Sequence, residues 1–331
     1  MDDQRENLSF APTATWAVLR RRAELLERLR AFFRKQRFLE VETPLLAFGV
    51  VVDRYLEPFC VCGPSDEKDA SRQPPRRWLQ TSPEAAMKRL MAAGAEAIYQ
   101  VTRSFRQGES GRLHNPEFTI VEWYRRGDSM AEAIERLSDL CQVMLDTEPA
   151  QRIRYRDAFL EHVGIDPLTA ETGALAERAT QFGMAATSGP PVERDRLLEF
   201  LMVERVEPNL GRPTPAILYD YPASQAALAR VRPENPPVAE RFELYVEGIE
   251  LANGYHELTD AAEWEARREA INRARIADGK TALPPDPYFE AAMRHGLPPC
   301  SGVALGFDRL VMLAIGANCI ADVMTFPFDR V

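Results

Sequence analysis

Residues 105–125, FRQGESGRLHNPEFTIVEWYR, place a cation, a histidine, an aromatic ring and a carboxylate along one short stretch. Arg106 and His114 flank a glycine-containing polar loop, and the apolar run that follows is interrupted by Glu122. Side chains alternate along a strand, so one face of this run carries Phe118, Ile120, Glu122 and Tyr124. A buried carboxylate is costly unless it has a partner. The pattern therefore predicts either a pocket floor that receives a cation or an edge strand with Glu122 in solvent.

A second pair of carboxylates lies in a predicted hairpin over residues 241–254. A two-residue loop at Glu247-Gly248 pairs residue 246 with 249, 245 with 250 and 243 with 252. Glu243, Tyr245 and Glu250 then point to the same face. Two neighbouring acids repel unless a cation lies between them, and Mg²⁺ takes one or two carboxylates together with substrate phosphate. The other interpretation is two surface glutamates on a solvated sheet.

Two further segments carry polar side chains beside glycines. Asn253-Gly254 is predicted to form a turn, and Glu257 follows it. Near the C-terminus, Gly306 permits close approach of the backbone to a ligand, and Arg309 lies at the start of an apolar helix. A cation is unfavourable at a helix N-terminus, so a bound anion would explain it.

The elements that must position these residues follow from hydrophobic periodicity. We predict helices, the first amphipathic, over 16–37, 83–93, 128–145 and 261–278, and strands over 38–44, 98–106 and 117–124. Residues 1–15 are predicted to be a tail, 66–77 a loop, and 126–210 a largely helical insertion. Strands separated by long helical segments indicate an α+β domain over 16–331, built around an antiparallel sheet flanked by helices.

Composition excludes several classes of protein. The chain has 331 residues, 45% of them hydrophobic and 27% charged, and a net charge of −9, which argues against a broad nucleic-acid-binding face. An apolar stretch long enough to span a membrane is absent from the sequence. The polar, acidic N-terminus does not resemble a secretory signal, and the five scattered cysteines suit reduced thiols. We therefore expect a cytoplasmic protein with no membrane partner.

Taken together, these segments resemble the class II aminoacyl-tRNA synthetases over nearly the whole chain. Arg106 with HNPEF (114–118) resembles motif 2, Gly306-Phe-Asp-Arg309 with the paired glutamates resembles motif 3, and Phe38 to Pro44 resembles motif 1. Within that class, HNPEFT and the spacing of Glu250, Asn253 and Glu257 are similar to lysyl-tRNA synthetases.

At three points the sequence differs from the lysyl-tRNA synthetases, and at these points it is similar to the elongation factor P β-lysine ligases, which are paralogues of those synthetases. Ser82 stands where the synthetases usually have Ala, and Ala304 stands where they have Gly. The catalytic domain begins almost at once, so no anticodon-binding domain is expected. The resemblance implies activation of (R)-β-lysine as an adenylate with ATP and Mg²⁺, and its transfer to a lysine of elongation factor P. It also implies a homodimer.

The resemblance implies a role for each candidate residue in ATP binding. Arg106 would bind the α-phosphate and the substrate carboxylate, and Arg309 with His114 would bind the γ-phosphate; both arginines are the expected catalytic groups. Phe118 would stack on adenine, Asn115 would lie beside it, and Glu243 and Glu250 would hold Mg²⁺. Motif 2 usually reads Arg-x-Glu, but here Gly108 stands at that position, so Glu109 is the candidate substitute.

The amino-acid side of the pocket must hold two ammonium groups, and the resemblance assigns acids to both. Glu84 would bind the backbone-side amine, Glu122, Tyr124 and Glu257 the ε-ammonium, and Asn253 would lie near the carboxylate. Ser82 and Ala304 would reshape this end for β-lysine. One methyl group is worth only about 1–3 kcal/mol of discrimination, so L-lysine is expected to be a weak substrate.

Two other functions remain open from the sequence. One is a truncated lysyl-tRNA synthetase that charges tRNA, against which the net charge of −9 argues. The other is a non-catalytic regulator, although both arginines, both glutamates and the stacking Phe118 are present. The basic segment 16–37, with eight Lys or Arg and two Glu, is either a solvated helix face or a docking site for an acidic acceptor.

Overall fold

The structure is a computed structural model that describes residues 10–63, 76–185 and 192–331. Most of the predicted tail (1–15) and most of the predicted loop (66–77) lie outside these residues. The described end of the tail packs against the C-terminal segment, since the backbone N–H groups of Thr13 and Ala14 donate to Thr325 and Met324 at 2.8 and 3.0 Å.

The described residues contain two sheets. The strands are β1 (Leu39–Glu40), β2 (Leu46–Ala47), β3 (Cys60–Cys62), β4 (Arg76–Leu79), β5 (Ala97–Phe105), β6 (Glu117–Arg126), β7 (Gln151–Arg154), β8 (Ala216–Pro222), β9 (Val231–Arg232), β10 (Val238–Val246), β11 (Ile249–His256) and β12 (Cys300–Gly306). The large sheet has the order β1-β5-β6-β12-β11-β10-β8-β7, with β9 beside β10, and the small sheet has the order β2-β4-β3.

The large sheet is antiparallel at its centre, as predicted, and gains a parallel strand at each edge. Its central strands, from β5 to β8, are antiparallel, but β1 pairs with β5 and β7 pairs with β8 in parallel. The α+β class is confirmed. The predicted strand over 38–44 is also shorter than expected, because only Leu39 and Glu40 pair with β5.

Helices surround the sheet. They are α1 (Trp16–Lys35), α2 (Glu84–Ala92), α3 (Met130–Leu145), α4 (Tyr155–His162), α5 (Thr172–Gln181), α6 (Arg194–Leu201), α7 (Ala261–Ala277), α8 (Pro287–His295) and α9 (Phe307–Ile315). Thr15 caps α1 by accepting a hydrogen bond from Val18 N at 3.2 Å, and Arg37 follows its end with a φ of 63°. Among the described residues, no helix is both long and apolar enough to span a bilayer.

The two faces of the large sheet have different roles. Val121 and Trp123 on β6, with Val303 on β12, point to the core that α1, α3 and α9 cover. Helices α4 to α6 form a second core against β8 and β10. On the opposite face of the sheet, α2 and α8 build a third, smaller core that includes Tyr124. Because alternate residues face opposite sides, the side chains left on that opposite face form the floor of a cavity.

The hairpin of β10 and β11 departs from its predicted register. Val246 pairs with Ile249 and Tyr245 with Glu250 as predicted, but Glu243 pairs with Asn253 rather than with residue 252. A β-bulge between Leu244 and Tyr245 causes the shift, since one extra residue on β11 opposes β10 there. Glu250 nevertheless lines the cavity, and Glu243 lies just behind its wall.

Asn253 and Gly254 lie within β11, so the predicted turn at this position is wrong. The glycine serves close packing: a Cβ at residue 254 would come within 2.4 Å of the Phe242 ring. Asn-Gly signals a turn in isolation, whereas here the sheet needs a residue without a side chain.

Candidate active site

A cavity of about 490 Å³ lies over β6, β11 and β12, on the face of the large sheet opposite α1, α3 and α9. The predicted site residues line it with one exception, Glu243, which lies just behind the wall. The interpretation of β6 as an edge strand is wrong, because β5 and β12 flank β6 and Glu122 is 1% exposed. One fold therefore brings together residues that are up to 227 positions apart, from Ser82 to Arg309.

The cationic end of the cavity is formed by Arg106, Arg309 and His114. The Arg309 guanidinium donates to Glu250 O at 2.6 Å, to Leu113 O at 3.2 Å and to His114 Nε2 at 2.7 Å. A ring nitrogen that accepts from Arg309 carries no proton. Burial, reinforced by the Arg309 charge, lowers the pKa of His114, so a neutral imidazole is favoured here.

Phe118 presents an aromatic face at the same end. The Arg106 guanidinium lies over this ring, 4.9 Å from its centroid, and also donates to Thr81 O at 3.4 Å. Asn115 lines the cavity, but its amide donates to Glu117 O at 2.6 Å and accepts from Phe328 N at 2.9 Å. Asn115 therefore ties the motif 2 loop to the C-terminal segment.

Gly108 occupies the position where motif 2 usually has an acid. Its φ is +83°, and Glu109 N donates to Arg106 O at 3.4 Å, which closes a tight turn across residues 106–109. This turn returns Glu109 to the cavity wall, where its carboxylate lies 3.7 Å from the Arg106 guanidinium. The chain thus places an acid beside Arg106 although the usual position is a glycine.

A cluster of carboxylates and phenols lies between the two ends of the cavity. Glu243 is 5% exposed and accepts hydrogen bonds at 2.5 Å from Arg241, Tyr221 and Tyr245. Glu250 lines the cavity, and burial together with the Glu243 charge raises its pKa. A cation beside Glu250 would relieve both effects.

Glu207, which sequence reasoning missed, adds a third acid to this cluster. It accepts from Tyr245 at 3.5 Å, and burial, then the charges of Glu243 and Glu250, raise its pKa to about 7. The described residues contain no group of three or more His, Cys, Asp or Glu side chains arranged to hold a metal by themselves. Of the two predicted magnesium ligands, Glu250 lines the cavity, whereas both oxygens of Glu243 accept hydrogen bonds behind the cavity wall.

The anionic end of the cavity is centred on Glu122. Its Oε2 accepts from the Tyr124 hydroxyl at 3.0 Å, whereas Oε1 is buried with no partner among the described residues. Burial, and next the Glu84 charge, raise the pKa of Glu122 to about 8, while hydrogen bonding to Ser82 and Tyr124 opposes the shift. A buried, half-satisfied carboxylate is a binding position for a cation or another donor.

The two residues that depart from the synthetases lie against this same carboxylate. The Ser82 hydroxyl lowers the pKa of Glu122, and it accepts a hydrogen bond from Glu84 N at 3.1 Å at the start of α2. Ala304 lies directly opposite Glu122 in the pairing of β12 with β6. Asn253 is beside them, with its Oδ1 buried and unpartnered within the described chain. The methyl group of Ala304 and the hydroxyl group of Ser82 therefore both lie next to the Glu122 carboxylate.

Glu84 and Glu257 are joined by Lys88, a residue that sequence reasoning also missed. The Lys88 ammonium lies 2.5 Å from Glu84 and 2.6 Å from Glu257. Burial tends to lower the pKa of Lys88, but the two carboxylates more than offset it and leave the pKa raised. The only signal in the sequence was the i, i+4 spacing of Glu84 and Lys88, which is common on solvated helices.

Gly302 lets these groups approach each other. A Cβ at residue 302 would come within 2.3 Å of both Glu257 Oε1 and the Tyr124 ring. The backbone of β12 therefore forms the wall against which both side chains rest.

Comparisons with known proteins identify the family of this chain. The family model for class II tRNA synthetases (D, K and N) matches residues 6–330. The chain is 46% identical to the elongation factor P–(R)-β-lysine ligase of Yersinia enterocolitica over 327 residues, which cover 98% of this chain and 99% of the relative. It is 45% identical to the ligases of that name from Salmonella typhi and Vibrio cholerae, each with 98% of this chain and 99% of the relative covered.

Proposed function

This chain belongs to the class II tRNA synthetases (D, K and N) and, within them, to the family of elongation factor P–(R)-β-lysine ligases, and we propose that it performs the ligase reaction. It activates (R)-β-lysine with ATP and transfers it to a lysine side chain of elongation factor P. The observation that carries the proposal is the polarity of the cavity: Arg106 and Arg309 lie at one end, and Glu84, Glu122 and Glu257 at the other. This polarity suits a nucleotide joined to a diamino acid.

The first step forms the adenylate. A carboxylate oxygen of the amino acid attacks the α-phosphorus of ATP, and pyrophosphate leaves. Phosphoryl transfer of this kind depends mainly on positioning and charge neutralisation. Arg106 holds the carboxylate and the α-phosphate, Arg309 and His114 hold the γ-phosphate, and Phe118 stacks on adenine with Asn115 beside it. Glu109 takes the place of the missing motif 2 acid.

The second step forms an amide. The amine nitrogen of the acceptor lysine attacks the acyl carbon of the adenylate, AMP leaves, and the attacking nitrogen loses a proton. During both steps Glu84, Glu122, Tyr124 and Glu257 hold the two ammonium groups, and Asn253 lies near the carboxylate. A desolvated ammonium requires such partners.

We also propose a magnesium ion, which Glu250 at the cavity wall would hold together with Glu243 behind it. The ion would neutralise phosphate charge at this position. The raised pKa of Glu250, caused by burial and by Glu243, supports a cation there.

Three finer points belong to the same proposal. tRNA is not the acceptor, which the net charge of −9 and the names of the relatives support. The enzyme acts in the cytoplasm, and it is a homodimer. Leu39, 65% exposed on β1 at the edge of the large sheet, supports a second copy on this edge. Light scattering of purified protein tests the dimer, and a monomer at assay concentration would overturn it.

One experiment tests the proposed function. Purified protein, ATP and Mg²⁺ are incubated with elongation factor P or with tRNA, and with (R)-β-lysine or L-lysine in parallel. We expect a mass increase on elongation factor P that is faster with (R)-β-lysine, and no charged tRNA. Aminoacylated tRNA would indicate the synthetase instead, and no ATP–pyrophosphate exchange with either amino acid would indicate a non-catalytic protein.

A further inference from the structure

Lys88 is a fully buried cation behind the anionic end of the cavity. Its side chain is 2% exposed, it lies on α2, and it does not line the cavity. A buried ammonium is retained only where opposite charge and good geometry compensate for its desolvation. Lys88 meets that condition through two carboxylates at 2.5 and 2.6 Å.

Both partners of Lys88 also line the cavity. Lys88 contacts Glu84 through Oε1 and Glu257 through Oε2. The other Glu257 oxygen, Oε1, lies at Gly302 on the β12 wall. Lys88 thus holds one oxygen of each carboxylate and thereby fixes how the rest of each group faces the cavity.

The charges of this end can be counted. Glu84, Glu122 and Glu257 contribute three carboxylates, and Lys88 contributes one ammonium, which leaves two negative charges when all four groups are ionised. A diamino acid brings two ammonium groups. Without Lys88, the three buried carboxylates would repel one another more strongly, and the pKa of Glu122, which is already about 8, would rise further.

We propose that Lys88 is a positioning residue that sets the charge and the orientation of the amino-acid end of the cavity, so that it matches a substrate with two ammonium groups. This inference rests on the proposed function and concerns how the same site selects its amino acid. Lys88 acts through Glu84 and Glu257 and does not touch the substrate.

The proposal predicts opposite charge imbalances in two single variants. Glu257→Gln leaves Lys88 facing Glu84 alone and reduces the net charge of this end to about −1 by the count above. Lys88→Met keeps a side chain of similar length but leaves three acids without their counter-ion. The double variant Lys88→Met/Glu257→Gln returns the end to two carboxylates, Glu84 and Glu122.

The test is ATP–pyrophosphate exchange with (R)-β-lysine on the wild type, both single variants and the double variant. We expect each single variant to raise the KM for (R)-β-lysine about tenfold or more, or ~1.4 kcal/mol, with the KM for ATP nearly unchanged. We expect the double variant to have a lower KM than Glu257→Gln alone. Lys35→Met, at an exposed position near the end of α1, is the matched control and should retain wild-type constants.

Independent effects would overturn the proposal. If the penalties of the two single variants simply multiply in the double variant, Lys88 does not set the charge of this end. Equal losses for ATP and amino acid would show a general structural role. If Lys88→Met fails to fold, as judged by thermal denaturation, the comparison of the double variant with Glu257→Gln still decides. An inactive wild type would instead refute the proposed function.

Discussion

At the scale of single residues, Glu122 connects most of the features that distinguish this pocket. It is buried, one of its oxygens has no partner within the described chain, and Ser82 and Ala304 both border it. A raised pKa makes its charge dependent on pH within the range of enzyme assays. Ser82 and Ala304, the two residues expected to reshape this end of the pocket, therefore both lie against one titratable group.

The first prediction concerns pH. With a pKa of about 8, Glu122 is mostly protonated in the free enzyme at pH 6 and must lose its proton to bind an ammonium. We therefore expect kcat/KM for (R)-β-lysine in exchange assays to rise from pH 6 to about pH 8. Glu84 raises this pKa, and Lys88 with the hydroxyls of Ser82 and Tyr124 lowers it.

Ser82→Ala provides the critical comparison. Loss of the Ser82 hydroxyl removes an effect that lowers the pKa of Glu122, so the rising limb of the pH profile should move to higher pH. Glu117→Gln, on the exposed end of the same strand β6, should leave the limb where it is. A limb that does not move in Ser82→Ala would assign the pH dependence to another group.

At the scale of elements, the site depends on strands that approach without side chains between them. Gly302 on β12 leaves room for Glu257 and Tyr124, and Gly254 on β11 leaves room for Phe242. The bulge in the β10–β11 hairpin shifts the pairing by one residue and places Asn253 opposite Glu243. Small residues and one irregularity thus determine which polar groups reach the cavity.

Gly302→Ala tests this dependence. The added Cβ would lie 2.3 Å from Glu257 Oε1 and from the Tyr124 ring, so both must move. Overpacking of this kind typically costs about 1–3 kcal/mol, and here it also displaces two ammonium-binding groups. We expect a lower free energy of unfolding in urea and a higher KM for (R)-β-lysine.

The matched control is Gly173→Ala in α5, where an added Cβ meets nothing within 4 Å. Alanine in a helix is favoured over glycine by roughly 0.5–1 kcal/mol, so this variant should be at least as stable as the wild type. Equal behaviour of the two variants would contradict the close approach at Gly302.

At the scale of the whole molecule, an acidic protein presents a locally basic helix. The net charge is −9, yet the segment 16–37 contains eight Lys or Arg and two Glu. Leu25, Leu29, Phe32 and Phe33 bury one side of α1, while Arg28 and Arg34 remain exposed. Arg28 is also paired with Asp146 at 3.6 Å. Such a surface favours encounter with an acidic partner and affects association more than chemistry.

We expect Arg28→Glu/Arg34→Glu to slow modification of elongation factor P several-fold while ATP–pyrophosphate exchange stays within about twofold of wild type. The single variant Arg34→Glu should likewise slow modification more than exchange. The effect should be smaller at high salt because exposed charges are screened. Arg273→Glu, at an exposed position on α7, makes the same charge change elsewhere and should preserve both rates. Parallel losses in both assays would make α1 a structural helix only.

Which neighbouring side chains share a strand face could be predicted from the sequence alone. Alternation along residues 118–124 placed Glu122 and Tyr124 on one face, and the Glu247-Gly248 loop placed Tyr245 opposite Glu250, because both depend only on neighbouring residues. Strands separated by long helical segments then predicted the α+β fold, and the resemblance to class II synthetases predicted the residues that line the cavity.

The contacts of each polar side chain, in contrast, depend on the tertiary fold. Lys88 looks like an ordinary helix lysine in sequence, and its burial between Glu84 and Glu257 depends on the packing of α2 against α8 and β6. Glu207 lies close enough to feel the charge of Glu243 although the two are 36 positions apart in the chain. The β-bulge shifts the pairing of Glu243 by one residue from its predicted partner. Burial and long-range contact set these charges, and neither is encoded in the spacing of neighbouring residues.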